Sequence, residues 1–228
     1  MKHFAIAIDG PAGAGKSTIA KMIAKKLNII YVDTGAMYRA VALYCINRGI
    51  NCRDKESVEK ILDQINIKIL YIDNAQRILL NNEDVTDRIR TQEISQGASD
   101  VATLQAVRIK MVELQRNLAQ NASVVMDGRD IGTHVLPNAS LKIFLTASVE
   151  ERANRRYKEL IQNGIDCSLS KIKEEIEVRD KNDSCREFSP LRKAEDAIEI
   201  DTTGKTIEEV VNIIISLIPK QFDSINNN

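Results

Sequence analysis

Residues 4–17 read FAIAIDGPAGAGKS: a short apolar run, one aspartate, and the octapeptide GPAGAGKS at positions 10–17. The octapeptide satisfies G-x-x-x-x-G-K-[ST] at every fixed position. Its surroundings are those the motif requires, an apolar strand before it and, after it, a helical pattern at Ile19, Met22, Ile23 and Leu27. The physical reading follows from the residue types. Glycines let the backbone curl so that successive N–H groups face inward, and the following helix adds the positive end of its dipole. Lys16 then neutralises β- and γ-phosphates, and the Ser17 hydroxyl holds Mg²⁺. The stretch predicts a nucleoside-triphosphate loop, with residues Gly10, Pro11, Ala12, Gly13, Ala14, Gly15, Lys16, Ser17 and Thr18 in contact with the nucleotide.

Working outward, the apolar run at 4–8 is the first of several. Others lie at 29–32, 123–127, 141–145 and 197–201. Most are almost continuously apolar, as strands covered on both faces are. Helical patterns alternate with them, a second example being Val107, Met111, Leu114 and Leu118. The alternation predicts an α/β fold with a doubly wound parallel sheet. Ser148 with Glu151, and Thr206 with Glu209, have the spacing of capping boxes and predict helix starts. Residues 65–87 break the pattern. INIKILYID and QRILLNNEDV alternate apolar and polar positions around Asp73-Asn74, which predicts a small antiparallel insert with a hairpin turn there. The tail INNN has nothing to bury.

The chain has 228 residues, which suits one α/β core with insertions, and its 32 basic and 32 acidic side chains balance. No net field draws it to nucleic acid or an anionic membrane, so any anion site is local. The four cysteines, Cys45, Cys52, Cys167 and Cys185, form no C-x-x-C pair and accompany only His3 and His134, which argues against a structural metal site. No apolar run reaches the roughly twenty residues of a membrane span, and the five apolar residues ahead of Asp9 are too few for a signal-peptide core. A reducing cytoplasm is the expected compartment.

A triphosphate loop leaves hydrolase, motor, switch or kinase. The strand VVMDG at 124–128 has glycine where a hydrolase carries a water-activating glutamate. The guanine motif N-K-x-D is absent, and the only D-x-x-G, at 201–204, lies near the C-terminus. A kinase remains, and it needs a second anion held in line with the first. DTGAMYR at 33–39 and DGRD at 127–130 both follow predicted strands, where ligands bind in such sheets. Further on stand Arg152, Arg155, Arg156, Arg179 and Arg186. The first two read equally as a solvated helix face with charge pairs. Arg179 and Arg186 bracket RDKNDSCR, a stretch without aliphatic side chains, which predicts a turn-like mobile lid rather than a packed helix.

IDGPAGAGKST, DTGAMYRA, IRTQEIS, DGRDIGT, KIFLTAS, the spaced RD..DS.R...SPL..A.DA and IDTT together resemble the bacterial cytidylate kinases, of the nucleoside monophosphate kinase group. The resemblance covers nearly the whole chain. It implies a P-loop fold with a five-stranded parallel sheet and helices on both faces, a monophosphate-binding insert containing a small antiparallel sheet, and an arginine-bearing lid. The core would comprise about residues 1–38, 88–150 and 190–222, the insert about 39–87, the lid about 151–189 and a frayed tail 223–228. It implies that Thr34, Arg39 and Arg129 hold the phosphate of CMP and that Ser99, Arg108 and Asp130 face cytosine. Asp183 is implied with Arg179 around the ribose, and Arg186 reaches phosphate from the lid. Lys16, Arg179 and Arg186 are the implied catalytic group. A carboxylate accepts from the exocyclic amine of cytosine, whereas uracil would present it with a second acceptor. Thr34 keeps the hydroxyl that some relatives supply from Ser, and Asn182 stands where some carry another arginine. Ser99 and Arg108, without the resemblance, are ordinary positions on a long helix expected from about 91 to 120.

The expectation is therefore a kinase that moves the γ-phosphate of ATP to CMP, and to dCMP, with Mg²⁺. It acts as a cytoplasmic monomer whose partners are small molecules, neither nucleic acid nor membrane. The alternatives are a P-loop kinase for another monophosphate or small metabolite, and a non-catalytic nucleotide-binding regulator.

Overall fold

The structure is a computed structural model that describes residues 3–72, 75–162 and 164–219. The chain forms two compact units, residues 1–31 with 119–228, and residues 32–118.

The first unit holds the sheet and the phosphate loop. Strands β1 (Ala5–Asp9), β2 (Ile30–Asp33, whose last two residues pass into the second unit), β6 (Val124–Gly128), β7 (Leu141–Thr146) and β8 (Ile198–Asp201) make a parallel sheet in the order β2-β6-β1-β7-β8. Each strand starts within a residue of its predicted position, because long apolar runs leave little choice of where to be buried. β1 is central, with Ile8 opposite Asp127 on β6 and Asp9 beside both Gly128 and Phe144. Helix α1 (Lys16–Leu27) and helix α8 (Ile207–Ser216) bury Ile19, Ile23 and Leu27, and Val210, Val211 and Ile214, in one cluster with Phe4, Ile6 and Ile8. Each such aliphatic side chain contributes about 1.5–3 kcal/mol on leaving water.

The Thr206 box is complete, with Glu209 N–H on the threonine hydroxyl and the Glu209 carboxylate on Thr206 N–H. The Ser148 box is half made. Glu151 N–H donates to Ser148 Oγ at 3.1 Å, but the Glu151 carboxylate takes Arg155 Nε at 3.0 Å, and Ser148 N–H donates to Thr203 Oγ1. A stronger charged partner four residues along the helix α6 (Val149–Gln162) displaces the reciprocal bond.

The prediction of a turn-like stretch over 179–186 is overturned. Arg179 to Cys185 are the last turns of helix α7 (Leu169–Cys185). The apolar anchors sit further back, where Ile172 and Ile176 pack with Ala153 of α6, and the polar end is secured by charge, with Asp183 buried against Arg129.

The second unit contains helices α2 (Thr34–Ile46), α3 (Lys55–Ile61), α4 (Gln92–Val101) and all but the last three residues of α5 (Gln105–Asn121). Its antiparallel sheet has the order β3-β4-β5 (Ile67–Ile72, Ala75–Leu80 and Glu83–Asp84), as the alternation at 65–87 predicts. Ile72 pairs with Ala75; the turn expected at Asp73-Asn74, like the tail after 219, lies outside the described residues. A Cβ on Gly97 would sit 3.1 Å from both Ala42 Cβ and Cys52 Sγ, so the glycine sets the close approach of α4 to α2. The single helix expected from 91 to 120 is two. Thr103 Oγ1 bonds back to the Asp100 carbonyl at 2.7 Å and Leu104 N–H turns to Val101, which ends α4 without glycine or proline.

Candidate functional site

The loop between β1 and α1 has the curled backbone its glycines permit, with Gly10, Gly13 and Gly15 all at positive φ (147°, 76° and 85°). Two arginines of α6 brace it from behind. Arg152, 4% exposed, donates to the carbonyls of Ala12 (3.1 Å) and Ala147 (3.0 Å) and pairs with Asp180 of α7 at 2.7 Å. Arg155 reaches both the hydroxyl and the carbonyl of Thr202. The sequence left Arg152 as equally a solvated charge; its burial makes it part of the loop's support.

Lys16 is 6% exposed and donates from Nζ to the Pro11 carbonyl at 2.6 Å. Burial holds its pKa well below the usual lysine value; Arg129 and Arg179 push the same way, against Asp127 and Asp183. Several cations kept this close form a site for a multiply charged anion. Ser17 Oγ donates to Asp127 Oδ2 at 2.7 Å, and the Tyr31 hydroxyl donates to Oδ1 at 3.0 Å. A hydroxyl and a carboxylate are hard oxygen donors suited to Mg²⁺. Among the described residues no three His, Cys, Asp or Glu side chains gather as a metal cage. Asp127 stood in the sequence within the DGRD cluster at the end of an apolar strand, with no role of its own assigned to it.

Beyond β6 the candidate acceptor groups converge. Arg129 Nε bonds Asp183 Oδ2 at 2.7 Å, and Arg186 lies 3.8 Å from Asp183 Oδ1 and 3.9 Å from Asp130 Oδ1. Burial alone would raise the Asp183 pKa; the guanidiniums of Arg129, Arg179 and Arg186 outweigh it and hold the carboxyl below its ordinary range. Arg186, expected on a segment unpacked until ligand arrives, has a side chain only 6% exposed. The first unit thus brings together Lys16, Arg129, Asp130, Arg179, Asp183 and Arg186.

In the second unit, the Asp33 side chain caps α2 by accepting from Ala36 N–H at 2.9 Å and also takes Arg39 Nη2 at 2.8 Å. Asp33 N–H is itself held by Gln76 of β4 at 2.8 Å. Thr34 is buried beside this cap, and Arg39 Nε is buried with no hydrogen-bond partner, which leaves a donor for a ligand. Ser99 is half-buried on α4. Arg108 of α5 is 1% exposed, donates to the Ala102 carbonyl where α4 ends, and stands 5.7 Å from the Tyr38 ring centroid. A guanidinium so deeply buried is not the ordinary helix position that the residue pattern alone gave.

The family model for cytidylate kinase matches residues 6–220. The cytidylate kinase of Caldicellulosiruptor bescii is 53% identical over 220 residues, 96% of this chain and 97% of that one. That of Bacillus subtilis strain 168 is 50% identical over 220 residues, 96% and 98% of the two chains. Among solved structures, an uncharacterized protein from Eubacterium ventriosum gives a TM-score of 0.54 at 15% identity, covering 95% of this chain and 98% of that one, a likeness of fold. With half the residues shared along nearly the full length, on top of a phosphate loop and a cluster of buried arginines, the chain belongs to the cytidylate kinase family.

Proposed function

We propose that this chain transfers the γ-phosphoryl group of ATP to CMP and dCMP, releasing ADP and the pyrimidine diphosphate. The observation that carries the reading is the concentration of cations around two buried carboxylates: Lys16, Arg129, Arg179 and Arg186 about Asp127 and Asp183. Phosphoryl transfer asks for such an arrangement, because catalysis is positioning and charge neutralisation. The acceptor phosphate is already ionised at neutral pH, so no base is required.

In this reading the loop backbone, residues 10–18, cradles the ATP phosphates. Lys16 trades its Pro11 carbonyl for a phosphate oxygen. Ser17 and Asp127 would hold Mg²⁺, which would offset the charge of the phosphates. Arg129, with Thr34 and Arg39, holds the CMP phosphate; Asp183 orients Arg129 and Arg179 and meets the ribose; Asp130, Ser99 and Arg108 face cytosine; Arg186 meets the transferring group. The lid, about 151–189, corresponds to α6 and α7. The balanced charge suits small-molecule partners, and the four free thiols suit a cytoplasmic protein, read here as a monomer.

The test is ADP formation from ATP with CMP, dCMP, UMP, AMP and dTMP compared side by side. CMP and dCMP should lead. Preference for any other acceptor assigns the loop to a different monophosphate, and no turnover with any of them leaves a kinase for a small metabolite or a nucleotide-binding regulator.

A further inference from the structure

We propose that Asp9 is a positioning residue for acceptor recognition: its carboxylate fixes the backbone that presents Arg129 and Asp130, and thereby the discrimination between cytosine and uracil. The inference rests on the CMP reading and extends it to a residue outside the substrate contacts.

Asp9 is the last residue of β1 and immediately precedes Gly10, so its main chain is continuous with the phosphate loop. Its side chain reaches the other way. Oδ1 accepts Ile131 N–H at 2.8 Å and Oδ2 accepts Gly132 N–H at 2.7 Å. The first of these N–H groups belongs to the peptide unit joining Asp130 to Ile131. The opposite end of that unit, the Asp130 carbonyl, accepts from His134 N–H at 2.9 Å and Val135 N–H at 3.1 Å. The plane is therefore held at both ends, and with it the ψ angle of Asp130. On the N-terminal side, Gly128 is in strand register with Asp9 itself. Arg129 and Asp130 span the two residues between these anchors, so both side chains leave a backbone that Asp9 fixes.

The glycine at 132 leaves room for this grip. A Cβ there would lie 3.4 Å from Asp9 Oδ2 and 3.2 Å from Lys142 Cδ. The carboxylate is only 4% exposed, and burial pushes its pKa up to about 6 even though Gly132 and Ile131 N–H groups and Lys16 favour its charge, with Asp130 opposing. The remaining charged neighbour, Lys142, is engaged by Asp196 at 2.8 Å. A group held this far from water at such an electrostatic disadvantage is one whose geometry matters. Two acceptors facing two N–H donors is an arrangement an amide does not reproduce, since asparagine offers one oxygen and turns an NH₂ toward the second donor.

Steady-state kinetics of the purified full chain with CMP and with UMP, for wild type, Asp9→Asn and Gly132→Ala, test this. Asp9→Asn should lower the CMP-to-UMP ratio of kcat/KM by about tenfold and raise KM for CMP, while KM for ATP changes by less than about twofold. A purely structural role would reduce the active fraction, depressing kcat for both acceptors equally and leaving the ratio alone. Gly132→Ala pushes on the same bond without altering charge, and should move the ratio the same way if Asp9→Asn does not fold. A ratio within about twofold of wild type in whichever variant folds overturns the proposal. Wild type that ignores CMP overturns the CMP reading, and this inference with it.

Discussion

Replacing Asp183 by alanine should cost far more than an exposed ion pair would. The carboxylate side chain is 11% exposed and its partner Arg129 18%, at 2.7 Å, with Arg186 at 3.8 Å sharing the same group. Removing one member of a buried pair strands the other's charge, which costs about 3–5 kcal/mol. For a chain of this length that corresponds to a fall of roughly 6–20 °C in Tm. Urea denaturation at pH 7 gives the first number, and thermal denaturation followed by circular dichroism the second. The sign of the pH dependence is a separate check. The Asp183 pKa is depressed in the folded state, so its contribution is complete above the ordinary aspartate value of 3.8 and vanishes as pH falls through the depressed one. The wild-type and Asp183→Ala stability curves should therefore converge in acid. In an Arg129→Met background the same substitution should cost less, because the principal stranded charge is gone. A loss under about 1 kcal/mol, or a difference that does not change with pH, refutes the argument that Asp183 is the counter-charge of this cluster.

Three further outcomes are expected. Lys16→Ala should abolish turnover while leaving the circular dichroism spectrum unchanged; a folded variant with wild-type rates removes lysine from the mechanism. Arg186→Ala should lower the single-turnover rate more than it weakens CMP binding, and Arg39→Ala the reverse, because Arg186 lies beside Asp130 and Asp183 whereas Arg39 is fixed by Asp33 at the start of α2; the opposite pattern makes Arg186 a substrate clamp. Asp130→Asn should reduce the CMP-to-UMP ratio of kcat/KM, and an unchanged ratio moves amine recognition to Ser99 or a backbone carbonyl.

The sheet and the phosphate loop were legible in the sequence because both are written in local, repetitive terms. Buried strands announce themselves as apolar runs, and the curl of 10–17 is encoded by its own glycines. What was missed depends on partners far away in the chain. Nothing in RDKNDSCR says helix, since Asp, Asn and Ser are weak helix formers; the helix persists because Asp183 finds Arg129, 54 positions earlier, and because Ile172 and Ile176 anchor the turns before it. The break at 102–104 has no proline or glycine to mark it, only a threonine hydroxyl that bonds backwards. Arg152 gave equal signals for surface and support, and the deciding fact, the Ala12 carbonyl within its reach, is 140 residues distant. Asp9 showed only as the point where an apolar run stops.

The glycines of the phosphate loop answer to different masters. A Cβ on Gly10, at φ 147°, would stand 2.1 Å from the Leu145 carbonyl oxygen of β7, whereas one on Gly15 would meet nothing nearer than 3.5 Å. The first glycine of the motif is thus demanded by the neighbouring strand whether or not nucleotide ever binds. A descendant of this chain that abandoned catalysis would be free to lose Lys16, whose burial among like charges is a standing burden on the fold, but would keep Gly10 for as long as it kept the sheet. In such a lineage the opening glycine is a fossil of architecture, and the lysine is the residue whose survival records use.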